Sequence, residues 1–374
     1  MESQVNPKMI YRYLGNSGLK VSLLSYGTML AEYTPETEAR WQECAKLAFE
    51  SGINYFDSAE MYGMGKGDEL LGRTIKENGW KREDLVISVK MFLGYTPNTT
   101  GLSRKKIIES TKLALKRMGL DYCDLVFAHR WETETPLEEI CKAFNWLVNK
   151  GYAMYWSTSC WPEEMIIEAI KICDKKGWQR PIADQCEYNV LIRGAVESQY
   201  IKLFEKYGLG TTIWSPLGGG MLSGKYNDGN IPEGSRFDVS EMFKDFSWNK
   251  YIGDDKREKT IGILKGLKET AEELGVTQAE LALAWTIVNK DVSTCIIGAS
   301  RLSQMESNLK AVELATKWTP ELEEKLAGIL NNQPPSTISM LTFQPYPARR
   351  PNRIKYDMEL GKLELQDPEQ GEFD

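Results

Sequence analysis

Four side chains in this 374-residue sequence have the types needed to deliver a proton to a carbonyl oxygen: Asp57, Tyr62, Lys90 and His129. His129 is the single histidine of the chain and directly follows the apolar run Leu125-Val126-Phe127-Ala128. A tyrosine hydroxyl near its ordinary pKa of about 10 is a weak acid at neutral pH. An ammonium from Lys90 beside it is expected to favour the phenolate and lower that pKa, while Asp57 keeps Lys90 charged and oriented. A neutral His129 can donate a hydrogen bond to the oxygen as negative charge develops there. The chemistry expected of the set is polarisation of C=O, hydride delivery to carbon, and protonation of oxygen by Tyr62 as general acid. Each residue alone has a plainer reading: a helix cap for Asp57, a surface lysine for Lys90, a packing residue for His129. The inference rests on the set.

Such a set needs a frame that carries four side chains to one place. Short apolar runs rich in β-branched and aromatic residues alternate along the chain with longer stretches of helical period, the pattern of a parallel sheet. Strands are predicted over 22–28, 53–58, 85–90, 123–129, 153–159, 182–188, 211–215 and 293–299. No G-x-G-x-x-G turn joins a strand to a helix, since Gly63, Gly65 and Gly67 lack the third spacing. Equal β–α units without a switch point predict an α/β fold of the (β/α)8 TIM-barrel type rather than a doubly wound sheet. Chemistry in such a barrel sits at the C-terminal strand ends, where Thr28, Asp57, Lys90, His129, Ser159, Gln185, Ser215 and Ser300 stand.

The connecting stretches read as amphipathic helices. Over 36–50, Trp41, Ala45, Ala48 and Phe49 fall on one side; over 104–118, Ile107, Ile108, Leu113, Leu115 and Met118 do. Ser103 is predicted as an N-cap, Thr135-Pro136 as an N-cap with proline at the first helical position, and Gly52, Gly119, Gly151 and Gly208 as helix ends of positive φ. From Pro216 to about Asp255 the chain makes an excursion of a length that is usually functional. Its Gly219–Lys225 segment has the first letters of a nucleotide phosphate loop, but Tyr226 replaces the required Ser or Thr. The expected organisation is one barrel over 9–333 and a partly extended, proline-bearing C-terminal extension over 334–374.

Hydrophobic residues at 42% and charged residues at 26% leave room for a sizeable core. A net charge of −7 disfavours a surface built to wrap nucleic acid. The start has no signal-peptide run and no stretch is apolar enough to span a bilayer, so a cytoplasmic address is expected. Seven cysteines without a C-x-x-C pair read as reduced, mostly buried thiols, with neither a disulfide framework nor a metal site expected. Trp131, Met91 and Phe92, just past His129 and Lys90, are candidates to line an apolar substrate mouth suited to aromatic or aliphatic aldehydes; Trp41, Trp80, Trp146 and Trp178 are expected to pack between helices.

These residues and the phrases around them resemble the aldo-keto reductases, in particular the branch containing the beta subunits of voltage-gated potassium channels. The resemblance runs from about residue 9 to 333. It is carried by Gly52-Ile53-Asn54-Tyr55-Phe56-Asp57-Ser58-Ala59-Glu60-Met61-Tyr62-Gly63, by Tyr11-Arg12-Tyr13-Leu14-Gly15, Trp214-Ser215-Pro216-Leu217, Ser223-Gly224-Lys225-Tyr226 and Ile297-Gly298-Ala299-Ser300. It implies that Asp57, Tyr62, Lys90 and His129 are the catalytic tetrad of an NADPH-dependent reductase of carbonyl substrates. It further implies a cofactor, NADPH or NADP+, held by Thr28, Asp57, Ser159, Gln185, Trp214, Ser215, Pro216, Leu217, Lys225, Arg236, Gly298, Ser300, Gln304 and Asn308, with Arg301 suited to stacking or phosphate. Also implied are a homotetramer and a potassium channel alpha subunit as partner, the protein then being an auxiliary subunit or redox sensor with slow turnover. Animal channel subunits commonly resemble this chain with asparagine at the histidine position; retention of His129 favours a working reductase. The family phrase Trp-Gly-Thr-Ser-Arg stands here as Trp156-Ser157-Thr158-Ser159-Cys160, so a basic residue near the cofactor is missing, and the loop after Thr28 matches less closely.

Overall fold

Parallel strands can pair only if the chain returns to the same end of the sheet between them, and here helices make each return. The computed structural model describes residues 9–253, 255–335, 355–357 and 362–364. The chain divides after Pro334 into two compact units. A hairpin comes first: β1 (Tyr11–Tyr13) pairs antiparallel with β2 (Lys20–Ser22). Then β3 (Leu24–Gly27), β4 (Tyr55–Asp57), β5 (Val86–Met91), β6 (Cys123–Ala128), β7 (Ala153–Thr158), β8 (Ala183–Asp184), β9 (Gly210–Ile213) and β10 (Thr294–Ile297) succeed one another around a closed parallel barrel. Closure comes from β10 pairing with β3, Cys295 opposite Leu24 and Ile297 opposite Tyr26.

The returns are α1 (Pro35–Glu50), α2 (Lys66–Asn78), α3 (Arg104–Met118), α4 (Leu137–Asn149), α5 (Glu163–Lys176) and α6 (Ile201–Tyr207). The excursion after β9 holds the short helices α7 (Arg236–Val239), α8 (Glu241–Phe243) and α9 (Asn249–Ile252). There follow α10 (Arg257–Leu274), α11 (Gln278–Val288), α12 (Leu302–Thr316) and α13 (Pro320–Leu330). Two apolar clusters result from strands buried on both faces. Leu14, Val21, Tyr55, Val86, Leu125, Phe127 and Ala183 form the smaller cluster, which joins the hairpin to the strands. The larger packs alternate strand residues such as Phe56, Val89, Met91 and Val126 with helix residues such as Trp41, Ile107, Phe144 and Ile170.

All eight predicted barrel strands are present, each within a few residues of its expected bounds except the sixth. Its two-residue β8 replaces the expected 182–188; beside it Cys160 adopts the left-handed φ of 53° while its amide donates to Gln185 O. A bridge between Glu187 and Trp214 resumes the pairing further on. The hairpin was not foreseen; its Arg12 guanidinium donates to the carbonyls of Ile287, Asn289 and Val292, a cation at the C-terminus of α11. Ser103 caps α3 through Lys106 N as predicted, whereas α4 starts at Leu137 with Pro136 at the cap position and no side-chain cap. Gly52, Gly119, Gly151 and Gly208 all have positive φ. Leu113 is exposed rather than inward, since the buried face of α3 runs through Ile107, Thr111, Ala114, Leu115 and Met118. Met91 is buried in the larger cluster and does not line a mouth, because alternation along β5 sends it to the opposite side from Lys90.

The extension expected over 334–374 falls largely outside the described residues. Within it β11 (Lys355–Asp357) and β12 (Lys362–Glu364) pair antiparallel, Tyr356 opposite Leu363. No helix among the described residues is long and apolar enough to cross a membrane.

One close approach fixes how the helix after β4 meets its neighbour. A Cβ on Gly72 of α2 would lie 2.2 Å from the backbone oxygen of Met118 at the end of α3. Alanine ordinarily stabilises a helix interior by about 1 kcal/mol over glycine. Here the two backbones must separate instead, and overpacking costs about 1–3 kcal/mol or more. Gly72→Ala is therefore expected to lower the thermal midpoint; a midpoint at or above wild type would show that α2 and α3 do not touch.

Candidate active site

The C-terminal ends of β4, β5 and β6 bring three of the four expected residues together, and the loop after β4 brings the fourth. Lys90 is fully buried on β5 and its ammonium donates to Asp57 Oδ2 at 2.5 Å, to Ser58 O at 2.9 Å and to the Tyr62 hydroxyl at 3.2 Å. Asp57 Oδ1 accepts from Ser88 Oγ at 2.7 Å and from Gln185 Nε2 at 3.1 Å. The rings of Tyr62 and His129 meet edge-on with centroids 6.5 Å apart. The turn that presents Tyr62 is made by consecutive left-handed residues, Gly63, Met64 and Gly65, with φ of 57°, 56° and 94°. A Cβ on Gly63 would sit 2.5 Å from the Tyr33 ring.

The electrostatics differ from the expected direction at Tyr62. Burial and the nearby Asp57 carboxylate push its phenol well above 10.0, the opposite of the lowering expected from the sequence. Desolvation also pulls Lys90 below its usual 10.5, with Asp57 opposing that fall. His129 behaves as expected: burial, then Lys90 and Arg130, hold it well below 6.5, and it is neutral at pH 7. Its buried Nδ1 has no hydrogen-bond partner among the described residues. The Tyr62 oxygen accepts from Lys90, and among the described residues nothing accepts its proton. The arrangement thus contains a protonated phenol, a cation bonded to its oxygen and a neutral imidazole.

A second tier of polar residues, which the sequence reading missed, positions the first. Glu60 accepts from Phe92 N and from Lys106 Nζ, each at 2.6 Å, and its own amide donates to Lys90 O. Glu60 thus ties the loop of Tyr62 to the end of β5 and, through its buried pair with Lys106, to α3. Asp68, in the first turn of α2, accepts from Ser58 Oγ at 2.7 Å and from Arg117 at 3.4 Å. Burial nevertheless pushes its carboxyl up from 3.8 to about 6. The folded protein therefore holds this proton more tightly than the unfolded chain does. The resulting stability is fully present below about 3.8 and is lost as pH rises through about 6; it amounts to about 3 kcal/mol at most. Asp68→Asn is expected to flatten the urea-denaturation stability across that window, and an undiminished fall in the variant would assign it to another group.

The residues expected to hold a cofactor lie along the remaining strand ends. Ser159 Oγ donates to Gln185 O, and Cys160, exposed beside it, accepts from Trp214 Nε1 at 3.3 Å. Ser215 is left-handed with φ of 51°, a conformation that costs a non-glycine residue about 1 kcal/mol. Pro216 is buried and Leu217 half-buried, while Lys225 and Arg236 are exposed in the excursion, Arg236 with its guanidinium 4.4 Å from the Phe243 ring centroid. Glu187 bonds Lys250 and Tyr251, tying that excursion back to the barrel. Gly298 and Ser300 are exposed after β10; Gln304 accepts from Ser300 N and Oγ, and Asn308 donates to Gly298 O. Thr28 is buried at the end of β3 and its hydroxyl donates to Ser58 Oγ beside Asp57. Trp131 is half-buried, edge-on to Trp161 at 4.8 Å, and Phe92 is half-buried past Lys90.

These residues suit a phosphate-bearing dinucleotide in one observable respect. The N-terminus of the 15-residue α12 has no side-chain cap and no acidic residue in its first turn, and Ser300 and Arg301 stand exposed there. Free amides, helix dipole and a guanidinium converge at that end.

Comparison with known proteins agrees with the geometry. The sequence profile of the Aldo/keto reductase family matches residues 23–327. A protein of Arabidopsis thaliana named "Probable voltage-gated potassium channel subunit beta" is 42% identical over 327 residues, covering 87% of this chain and 98% of its own. One of the same name from Oryza sativa subsp. japonica is 41% identical over 336 residues, 88% of this chain and 99% of its own. A third, from Schizosaccharomyces pombe, also named as a potassium channel subunit beta, is 44% identical over 333 residues, 88% and 95% of the two chains. With a closed eight-stranded barrel, polar strand ends and a family match over most of its length, this chain belongs to the aldo/keto reductase family of oxidoreductases.

Proposed function

We propose that the protein reduces aldehydes and ketones to alcohols with NADPH, Tyr62 acting as general acid. The observation that carries this reading is the Tyr62 hydroxyl, bonded through its oxygen to Lys90 with its proton uncommitted. Bound NADPH would supply a hydride to the carbonyl carbon. Ser159, Gln185 and Trp214 would hold its nicotinamide end, and Ser215, Leu217, Lys225, Arg236, Ser300, Arg301, Gln304 and Asn308 its phosphates and adenosine. Neutral His129 orients and polarises the carbonyl oxygen, and Tyr62 gives that oxygen its proton. The phenol stays protonated at neutral pH because burial raises its pKa. Lys90 stabilises the phenolate left behind, and Asp57 holds Lys90 in place. The purified chain is expected to oxidise NADPH when a substituted benzaldehyde is added, followed as loss of absorbance of the reduced cofactor; no turnover with any of a panel of aldehydes and ketones would refute the reading.

The names of the relatives favour a second role for the same fold, as the beta subunit of a voltage-gated potassium channel, and with it we propose a homotetrameric, cytoplasmic assembly. Light scattering on the purified protein and co-purification with a channel cytoplasmic domain test it, and a monomer that retains no channel fragment would exclude it.

A further inference from the structure

Arg130 follows His129 at the end of β6, and its guanidinium is half-buried there. Its Nη1 donates to His129 O at 2.6 Å and to Ser159 Oγ at 3.2 Å, both neutral acceptors. Its bonds to His129 O and Ser159 Oγ set the cation between the ends of β6 and β7, and its charge lowers the pKa values of Tyr62, His129, Lys90 and Cys160. A half-buried guanidinium ordinarily takes a carboxylate partner, since desolvation without one is costly. Among the described residues no carboxylate lies within ion-pair distance of Arg130.

The nearby acids are committed elsewhere. Glu132 accepts from the backbone amides of Leu102, Glu134 and Thr135. Asp184 accepts from Thr158 Oγ1, Cys160 N, Trp161 N and the Tyr200 hydroxyl. Asp57 is taken by Lys90, Ser88 and Gln185. Arg130 is thus a planar donor fork beside the proton donor, with charge to spare and Trp131 next to it as an apolar surface.

We propose that Arg130 makes this site selective for carbonyl compounds that carry a carboxylate, the guanidinium binding the anionic end of the substrate while Tyr62 and His129 address the carbonyl. This rests on the reductase reading above and narrows its substrate class. A site with an unpaired donor discriminates strongly against an analogue lacking the matching acceptor.

The test uses the full chain with NADPH and two aldehydes of similar shape, 4-carboxybenzaldehyde and methyl 4-formylbenzoate. The ratio of their kcat/KM values, carboxylate over ester, is expected to fall at least about tenfold in Arg130→Gln, chiefly through KM of the carboxylate, and to be partly kept in Arg130→Lys. Comparing ratios between variants cancels the intrinsic reactivities of the two aldehydes and any general loss from disturbing Ser159. Equal losses on both substrates, or an unchanged ratio, would make Arg130 a positioning residue and overturn the proposal while leaving the reductase reading intact. Wild-type protein that reduces neither compound but reduces other aldehydes overturns it too, whereas no turnover with any carbonyl overturns both.

Discussion

In Tyr62→Phe, carbonyl reduction falls by about 10²- to 10⁴-fold, the contribution of a positioned general acid. The loss falls on kcat, because the ring and its packing survive and only the donated proton is gone. Binding of NADPH, followed by quenching of tryptophan fluorescence, stays within about twofold of wild type. The pH profile carries a second part of the expectation. With the phenol held well above 10.0 and the imidazole well below 6.5, neither group titrates between pH 7 and 9, and the rate is flat there. Turnover in Tyr62→Phe equal to wild type would sink the mechanism, and a rate that fell steadily from pH 7 to 9 would mean that the Tyr62 proton is already leaving in that range.

Lys90→Met is expected to be the most damaging single change to stability among those considered. Lys90 is 0% exposed and Asp57 only 2%, so removing the ammonium leaves a buried carboxylate without its counter-charge. Breaking a buried pair from one side costs about 3–5 kcal/mol. Asp57 keeps the Ser88 and Gln185 donors, which place the variant toward the lower part of that range. Asp57→Asn combined with Lys90→Met removes both charges and is expected to regain most of the lost stability without regaining activity, because the phenolate of Tyr62 still lacks its cation. Urea denaturation and turnover together check this. A double variant no more stable than Lys90→Met would show that the lysine contributes through packing and not through its charge.

The four central residues could be found in the sequence because strand ends are local features. Asp57, Lys90 and His129 each follow a run of apolar residues, and a barrel carries such positions to one rim whatever the details of its packing. Lys106 shows the opposite case. It stands in the run Arg104-Lys105-Lys106 at the start of a helix, where charges are usually solvated, yet it is 3% exposed against Glu60. Nothing in its spacing distinguishes it from Lys105, which pairs with Glu109 in solvent. Arg130 went unremarked for a similar reason, since one arginine after a strand is common and its lack of a carboxylate partner is a property of its neighbours in space.

The barrel and the succession of its strands could be read from the sequence, because hydrophobic period and strand termination depend on near neighbours in the chain. Only the tertiary structure decided the direction of the Tyr62 shift. Its acidity is a balance between desolvation and Asp57, which raise the pKa, and Arg130, which lowers it, and the burial that dominates that balance comes from elements far apart in the chain. The surroundings of Cys160 are decided in the same way, since Arg130, 30 positions earlier, donates to the adjoining Ser159 Oγ. Charge acts through distance and dielectric, and both are fixed by the closed barrel rather than by the order of residues along it.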